Sequence, residues 1–544
     1  NMDMDIQRLQ AYYQDQGFLD AKVSPEITYD DKGMNIVFKI QEGPQYKIGN
    51  VFIKGTDLIF TEEDIRKQIK MKNGDPFRHV GLRDDLEKIK DLYYEHGYMN
   101  VAIDIDRDMK LGESMIDVTY TIVPGHIVYV GKIDIVGNHK TKDVVIRREL
   151  RVYPGDKFNG STIRRSKERL YNLGFFEDIF WTMKDTYDKN IKDVVITVKE
   201  SKTGEFAFGG GYSSVDSFIG FAQITQRNFD LLNFPSFTGD GQNLAIKATL
   251  GTVRRDYDIS WTEPWIFDNP ISFGFDLYSR THERDNQVGY GYEERRTGGD
   301  LRLGKEFTER FRGDIMYTLE EIKISDVDDN ATSDLKDEEG SNWLSKAMIA
   351  IAYDTRDNIY APKRGIFSQV IFENAGGFLG FDKSFLKTYL MASYYYTFYD
   401  LVTLEVKGRT GWINPYSKTK TTPIYERFFA GGANSIRGYR ERKVGPRDYG
   451  SSEPVGGSSM FIGNVEATFP IYENLIKGAV FYDIGSVWVE ASDYFQGGFK
   501  SGIGCGVRVK TPIGPVKIDM GYPLSDNHDD KKKVEFYFSM THGF

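Results

Sequence analysis

The spacing of apolar residues changes once along this chain, near Gly204. Upstream, helical spacing over 6–16 and at two later places is followed each time by strands, with alternation over 34–40, 115–123 and 194–198. Downstream the helical period is gone, and short alternating stretches recur between turn clusters: 243–250, 256–261, 271–278, 367–372, 401–406 and 516–520. The alternation runs to the last residue, through Phe536, Phe538 and Phe544. Chain ends ordinarily fray into polar residues, so an aromatic terminal strand must be paired and covered by something apolar. A closing strand of a membrane β-barrel and the edge of a soluble sandwich both meet that requirement.

The first 200 residues contain a repeat with a period of about 80. A helix ending in Gly-aromatic appears three times: Tyr12-Tyr13 leads to Gly17-Phe18, Tyr93-Tyr94 to Gly97-Tyr98, and Leu170-Tyr171 to Gly174-Phe175. Glycine stands where a helix C-cap needs a left-handed residue. The strand at Tyr46 to Gly55 matches that at Val128 to Gly137, and Gly74-Asp75-Pro76-Phe77 matches Gly155-Asp156-Lys157-Phe158. Thr61 and Thr141 are expected to open helices by capping. Each copy reads β-α-α-β-β, a three-stranded sheet carrying two helices. Complete copies are expected at 46–125 and 126–203, with 1–45 the back half of another. The helical start without a leader before Asn1 reads as a processed or truncated chain.

Composition narrows the class. No run of about 18 apolar residues occurs, which excludes a helical membrane protein and leaves a barrel open. Charged residues make up 28% and aromatics 14% (34 Tyr, 37 Phe). This suits interfacial aromatic girdles and equally an aromatic-cored soluble β protein. From 204 to 544 no helical domain covers a sheet, so its edges must be hidden by closure. That length accommodates about 16 strands. A net charge of -10 argues against nucleic acid as a partner. The single Cys505 permits no internal disulfide. The seven His show no metal-ligand spacing and no nucleophile has a nearby base, so no catalytic residue, metal or cofactor is expected and the chain is not read as an enzyme. The acidic stretch 326–339 reads as exposed loop charge.

The repeat resembles the POTRA module of periplasmic transport proteins. The segment Glu426-Arg427-Phe428-Phe429-Ala430-Gly431-Gly432-Ala433-Asn434-Ser435-Ile436-Arg437-Gly438-Tyr439 resembles the inward-folded loop of the BamA-type outer-membrane insertases. Thr262-Glu263-Pro264-Trp265, Asp354-Thr355-Arg356-Asp357, Phe481-Tyr482-Asp483-Ile484-Gly485 and Gly514-Pro515 with Tyr522-Pro523-Leu524 resemble family segments in the same order. The implied fold is α+β tandem POTRA modules followed by a transmembrane antiparallel β-barrel at 204–544. The implied site is the lumen motif Ser435, Ile436, Arg437, Gly438 and Tyr439, with Asp483 and Glu466 as acidic partners of Arg437.

The implied function is central to outer-membrane β-barrel assembly in a diderm bacterium, with the modules in the periplasm capturing client strands. Clients would enter through a lateral gate between the first and last barrel strands. Three successive glycines weaken pairing at this seam; its expected residues are Phe206, Phe208, Gly209, Gly210, Gly211, Phe536, Phe538 and Phe544. Implied partners are unfolded outer-membrane clients, accessory lipoproteins or other subunits, periplasmic chaperones and outer-membrane lipid. A secretion or translocation pore of the same superfamily is the alternative, and a passive porin or soluble β binding protein a third. The ending also resembles a client recognition signal, although Thr541 stands where the family often has Gly.

Overall fold

The computed structural model describes every residue except 1, 31–32, 56–57, 111–112, 214–216, 286–290, 333–335, 360, 400, 473–474, 512–513, 526–532 and 541–544. It divides into two units, Asn1–Ser201 and Lys202–Phe544.

Glycine at each long helix end sets the frame of the first unit. Helices α1 (Met2–Asp15), α3 (His79–Glu95) and α5 (Gly160–Asn172) are followed by Gly17, Gly97 and Gly174, whose φ values are 93°, 95° and 70°. At the first two, the next aromatic N–H donates five residues back, Phe18 to the Tyr13 carbonyl at 3.0 Å and Tyr98 to that of Tyr93 at 3.1 Å. The same residues bring their rings to 6.0 and 6.1 Å. This is the Schellman closure with its hydrophobic contact. The glycine carbonyls then accept from the next copy, Gly17 from Tyr46 N at 2.7 Å and Gly97 from Val128 N at 2.9 Å.

Strands β1 (Lys22–Asp30) and β2 (Gly33–Gln41) form an antiparallel pair. The second copy runs β3 (Lys47–Gly55), α2 (Glu62–Gln68), α3, β4 (Ala102–Lys110), β5 (Met115–Val123). The third runs β6 (Tyr129–Val136), α4 (Asp143–Arg147), α5, β7 (Phe176–Asp185), β8 (Ile191–Glu200). In both the last strand is central and parallel to the first, in the orders β3-β5-β4 and β6-β8-β7. Alternate residues of β5, Ile116, Val118, Tyr120 and Ile122, are buried against Ile65, Ile89 and Tyr93. Val194, Ile196 and Val198 repeat the arrangement with Leu170. Burying such a side chain stabilises by ~1.5–3 kcal/mol. Thr61 caps α2, its hydroxyl accepting from Asp64 N at 3.2 Å. Thr141 does not play that part: Lys142 is the cap residue of α4, and the Glu200 carboxylate accepts the Thr141 N–H at 2.6 Å. Glu200 on β8 orders the turn before the helix and does not cap it.

The second unit is sixteen antiparallel strands closed into a barrel. They are β9 (Gly204–Ser213), β10 (Ser217–Phe229), β11 (Gln242–Gly251), β12 (Arg254–Glu263), β13 (Ile271–His282), β14 (Glu293–Thr308), β15 (Phe311–Ser325) and β16 (Gly340–Asp354). The other half is β17 (Gly365–Ala375), β18 (Phe385–Phe398), β19 (Val402–Pro415), β20 (Ser459–Tyr472), β21 (Ile476–Trp488), β22 (Lys500–Thr511), β23 (Gly514–Pro523) and β24 (Glu535–Met540). Across the middle of the strands the outward side chains are apolar and exposed, Ile246, Leu277, Leu301, Ile315 and Ile349 among them, as lipid-facing positions must be. β9 pairs with β10 from Ser217↔Ser213 to Gln226↔Gly204, whereas its described pairing with β24 is Ser539↔Ser213.

The helix ends make a testable joint. Gly97→Ala places a Cβ against Lys157 and Ile127 at a φ of 95°. It is expected to cost ~1–2 kcal/mol, read as faster amide exchange over the last turn of α3 and the start of β6; unchanged exchange there would show that the left-handed residue is not needed.

Candidate functional site

The connection between β19 and β20 folds into the barrel and supplies the apolar filling of its lumen. Ile424, Tyr425, Phe428, Ala430, Ile436, Tyr439 and Val444 are buried in one cluster with wall residues including Ile322, Leu344, Phe385, Ile413, Ile462 and Val487. Within it Arg437 is only 6% exposed and Asp483, on β21, is fully buried.

The approach of loop to wall is backbone on backbone. Gly438 has φ 102°, and a Cβ there would meet the backbone of Tyr522 and Pro523 within about 3 Å. On the wall, a Cβ on Gly502 would overlap the Arg437 carbonyl oxygen, one on Gly521 would meet Gly438 N, and one on Gly485 would reach Ile436 Cδ1 at 3.0 Å. At this range Arg437 N donates to Asp483 Oδ2 at 3.0 Å. The guanidinium adds Nε to Asp483 Oδ2 at 2.7 Å, Nη2 to Oδ1 at 3.0 Å and Nη1 to Glu466 Oε2 at 2.6 Å. Its plane lies over the Phe481 ring, 3.4 Å from the centroid. Asp519 on β23 lies 3.5 Å from Nη1, and Arg508 on β22 bridges Glu466 at 3.1 Å and Asp519 at 2.5 Å. Burial opposes the Arg437 charge, but hydrogen bonding and attraction from Asp483, then Glu466, outweigh it and hold the guanidinium above its ordinary pKa.

Asn464 ties the preceding turn, donating to the Ser435 carbonyl at 2.6 Å and to Asp483 Oδ1 at 2.8 Å. Ser435 closes the turn on the Gly431 carbonyl at 2.6 Å. Tyr439 donates to the Ser501 and Ser525 carbonyls at 3.1 and 2.8 Å.

A second anchor of opposite sign lies nearer the start of the loop. Glu426 is 4% exposed and meets Lys387 on β18 at 2.9 Å, Lys346 on β16 at 3.3 Å and Arg296 on β14 at 3.4 Å. Lys346 also pairs with Glu320 on β15 at 2.6 Å, and Tyr278 on β13 donates to Glu320 at 3.0 Å. Burial alone would raise the Glu426 pKa; Lys346, Lys387 and Arg296 together pull it below the usual carboxylate range.

The geometry thus gathers Ser435, Ile436, Arg437, Gly438 and Tyr439 with Asp483 and Glu466. Sequence reasoning did not reach Asp519, Arg508, Glu426 or Tyr537. Tyr537 stands between Phe536 and Phe538 on β24, so its side chain takes the lumen side. Its hydroxyl accepts from Gly438 N at 2.8 Å and donates to the Tyr439 carbonyl at 2.7 Å. Parity along the terminal strand was the signal available. Of the expected seam residues, Phe206, Phe208 and Phe536 point outward and are exposed. Gly209, Gly210 and Gly211 pair with Phe221, Gly220 and Ile219 of β10, not with β24 among the described residues. Phe538 lies near Tyr212, ring centroids 6.2 Å apart, and Phe544 falls outside the described residues.

Removing one partner of a buried, multiply bonded ion pair leaves the other uncompensated, typically a loss of ~3–5 kcal/mol. Arg437→Ala and Asp483→Ala should each lower the temperature at which the heat-modifiable barrel band unfolds and expose 416–458 to protease. The double variant should lose clearly less than the two single losses added together, because the pair acts as a unit; additive losses would show that the contact is not energetic.

The barrel region matches the model of the Omp85 superfamily domain over residues 236–544. The POTRA model, described as a surface antigen variable number repeat, matches 1–43, 46–125 and 128–201. The outer membrane protein assembly factor BamA of Nitratidesulfovibrio vulgaris is 29% identical over 551 residues, taking in 100% of this chain and 68% of the relative. That of Neorickettsia risticii is 27% identical over 545 residues, 98% of this chain and 71% of the relative. The structure of BamA from Haemophilus ducreyi lacking POTRA domains 1–3 shares the fold, with a TM-score of 0.70 over 91% of this chain and 99% of that one at 22% identity. With its barrel model spanning more than half of the sequence, this chain belongs to the Omp85 superfamily.

Proposed function

We propose that this protein is the membrane core of an outer-membrane β-barrel assembly machine. The reading rests on the superfamily membership, on the three POTRA matches and on relatives named as assembly factors. The observation that carries its mechanism is the glycine run of the first barrel strand: Gly209, Gly210 and Gly211 lie on β9, which meets the last strand at Ser213↔Ser539, and glycines weaken strand pairing. An opened seam exposes backbone N–H and C=O groups inside a bilayer, where each unsatisfied group costs several kcal/mol. A client strand satisfies them by β-augmentation. No bond in the client is broken, so the activity is assembly rather than covalent chemistry.

In this reading the barrel sits in the outer membrane of a diderm bacterium and the three N-terminal copies in its periplasm. Each full copy has two edge strands, β3 and β4 or β6 and β7, whose free backbone groups accept extended client segments handed over by chaperones. Accessory lipoproteins or other subunits bind the same modules. The rival reading, a secretion pore, needs an open lumen; a lumen packed by the β19–β20 connection weighs toward the seam as the route.

The lumen loop is then part of the gate, because Tyr537 of the last strand is bonded to Gly438 and Tyr439, and Glu535 meets Arg440 at 3.3 Å. Arg437 seats those residues, so loop position and last-strand position are linked.

Two measurements test this. In a Cys505→Ala background, Ser213→Cys with Ser539→Cys should allow a disulfide across the seam. Oxidation is expected to bring client insertion into vesicles down to background, with reduction restoring it; full insertion by the oxidised protein would refute the gate. Tyr537→Phe removes one hydroxyl and leaves a buried N–H and a buried C=O unpaired, a loss of ~1–3 kcal/mol for each orphaned group. The barrel should still form. Its unfolding temperature should fall, and cross-linking between cysteines placed at 440 and 535 should drop relative to the same pair with Tyr537 intact, whereas an unaltered cross-linking yield would separate loop from strand.

A further inference from the structure

In an up-and-down barrel, alternate connections share a rim. The chain enters β9 at one rim, and the connection 230–241 between β10 and β11 returns to that same rim. It is the longest connection there, although barrels usually keep one rim to short turns. Leu231, Leu232, Phe234 and Phe237 crowd its tip, and no charged residue lies between Asp230 and Asp240. Leu232 is 88% and Phe234 79% exposed.

The tip is built, not loose. Asp230 N donates to the Phe237 carbonyl at 3.1 Å, and Phe237 N donates to that of Asn233 at 2.7 Å. Asn233 Nδ2 donates to the Thr238 carbonyl at 2.7 Å, and Ser236 Oγ to the Asn233 carbonyl at 3.3 Å. The base is fixed by buried Asn228, whose carbonyl accepts from Gly239 N at 2.9 Å and whose Oδ1 accepts from Gly241 N at 2.8 Å. Phe237 stacks on buried Phe229, centroids 6.1 Å apart. The polar side chains of the tip therefore turn inward on its own backbone, and Pro235 has no N–H to satisfy. What faces outward is apolar surface with little desolvation cost, held rigidly.

We propose that residues 231–237 form an interfacial membrane anchor that beds into the lipid leaflet at the rim where the chain enters the barrel. Three observations choose lipid over a protein as the occupant. The tip continues the lipid-facing band of its own strands, whose outward residues Phe218, Ile224 and Ile246 are exposed. Other connections of the same rim also carry exposed apolar residues, Phe267, Ile359, Tyr399 and Leu475, which marks a common boundary level. An uncharged tip with satisfied polar side chains offers a protein partner no ion pair or directional bond. Since β10 is the full-length partner of the seam strand β9, the anchor fixes the depth of one side of the seam.

The test uses the whole chain in phosphatidylethanolamine–phosphatidylglycerol vesicles. Phe234→Cys in a Cys505→Ala background carries an environment-sensitive fluorophore, and Tyr449→Cys, fully exposed on the opposite rim, is the comparison. Leu232→Cys is a second labelling position, and heat-modifiable migration confirms folding of each. Quenching by nitroxide-bearing acyl chains is expected to be at least about threefold stronger at 234 than at 449, with iodide in the water showing the reverse order. Equal access to iodide at both positions places the tip in water and overturns the anchor. Protection from both quenchers places it under protein and overturns it equally. The result is independent of the gate, because it is read on a barrel whose seam is closed.

Discussion

A sheet that crosses a bilayer must satisfy all of its backbone hydrogen bonds internally, so the contact between its first and last strands is a constraint on the whole barrel. The closing contact joins β24 to β9, with Ser539 opposite Ser213 among the described residues. The last strand is also held from inside. Tyr537 binds the loop backbone at two points, and Arg440 reaches Glu535. The position of β24 therefore depends on the loop as well as on β23, which is how a lumen contact can influence an edge facing lipid.

The loop is itself held by charges of opposite sign on different strands. Glu426 sits among Arg296, Lys346 and Lys387, and Arg437 among Glu466, Asp483 and Asp519. Buried ion pairs contribute little net stability over apolar packing, yet breaking one is expensive. Their value here is register: sliding the loop by one residue, or reversing it, would carry an acid toward acids and a base toward bases. Apolar packing by Ile424, Phe428 and Ile436 supplies the area, and the two charges fix which area is used.

The strands were legible because lipid outside and a polar lumen inside enforce alternation, and 243–250 or 271–278 needed only parity to be found. The helix ends were legible because Gly17 and Gly97 do a job few other residues can do. Arg437 stood out between glycines in a recognisable segment. Glu426 did not: its cations lie on three strands, Arg296 as far as 130 residues away in sequence, and nothing local marks it as buried. Asp519 and Arg508 were hidden for the same reason. Thr141 misled because α4 starts one residue later than the spacing implies, with Lys142 in the cap position and no side-chain cap. The seam was expected between 205–212 and 535–544; the described contact is Ser539↔Ser213, and register there is set by closure of the whole barrel.

The glycines of the wall connect these points. Gly485, Gly502 and Gly521 lie on β21, β22 and β23, and together with Gly438 they let two backbones meet. Glycine within strands removes cross-strand packing and loosens the chain, so the wall nearest β24 is softer than a Val- or Ile-rich wall. A residue with a Cβ at Gly502 would stiffen β22 and push Arg437 outward, and Arg437 N could then no longer reach Asp483, nor Gly438 N reach Tyr537. The loop can thus be seated only on a wall that is locally weak, and that weakness lies in the strands next to the seam. Tight seating in the lumen and compliance beside the seam follow from the same missing side chains, so neither can be strengthened by adding bulk there without losing the other.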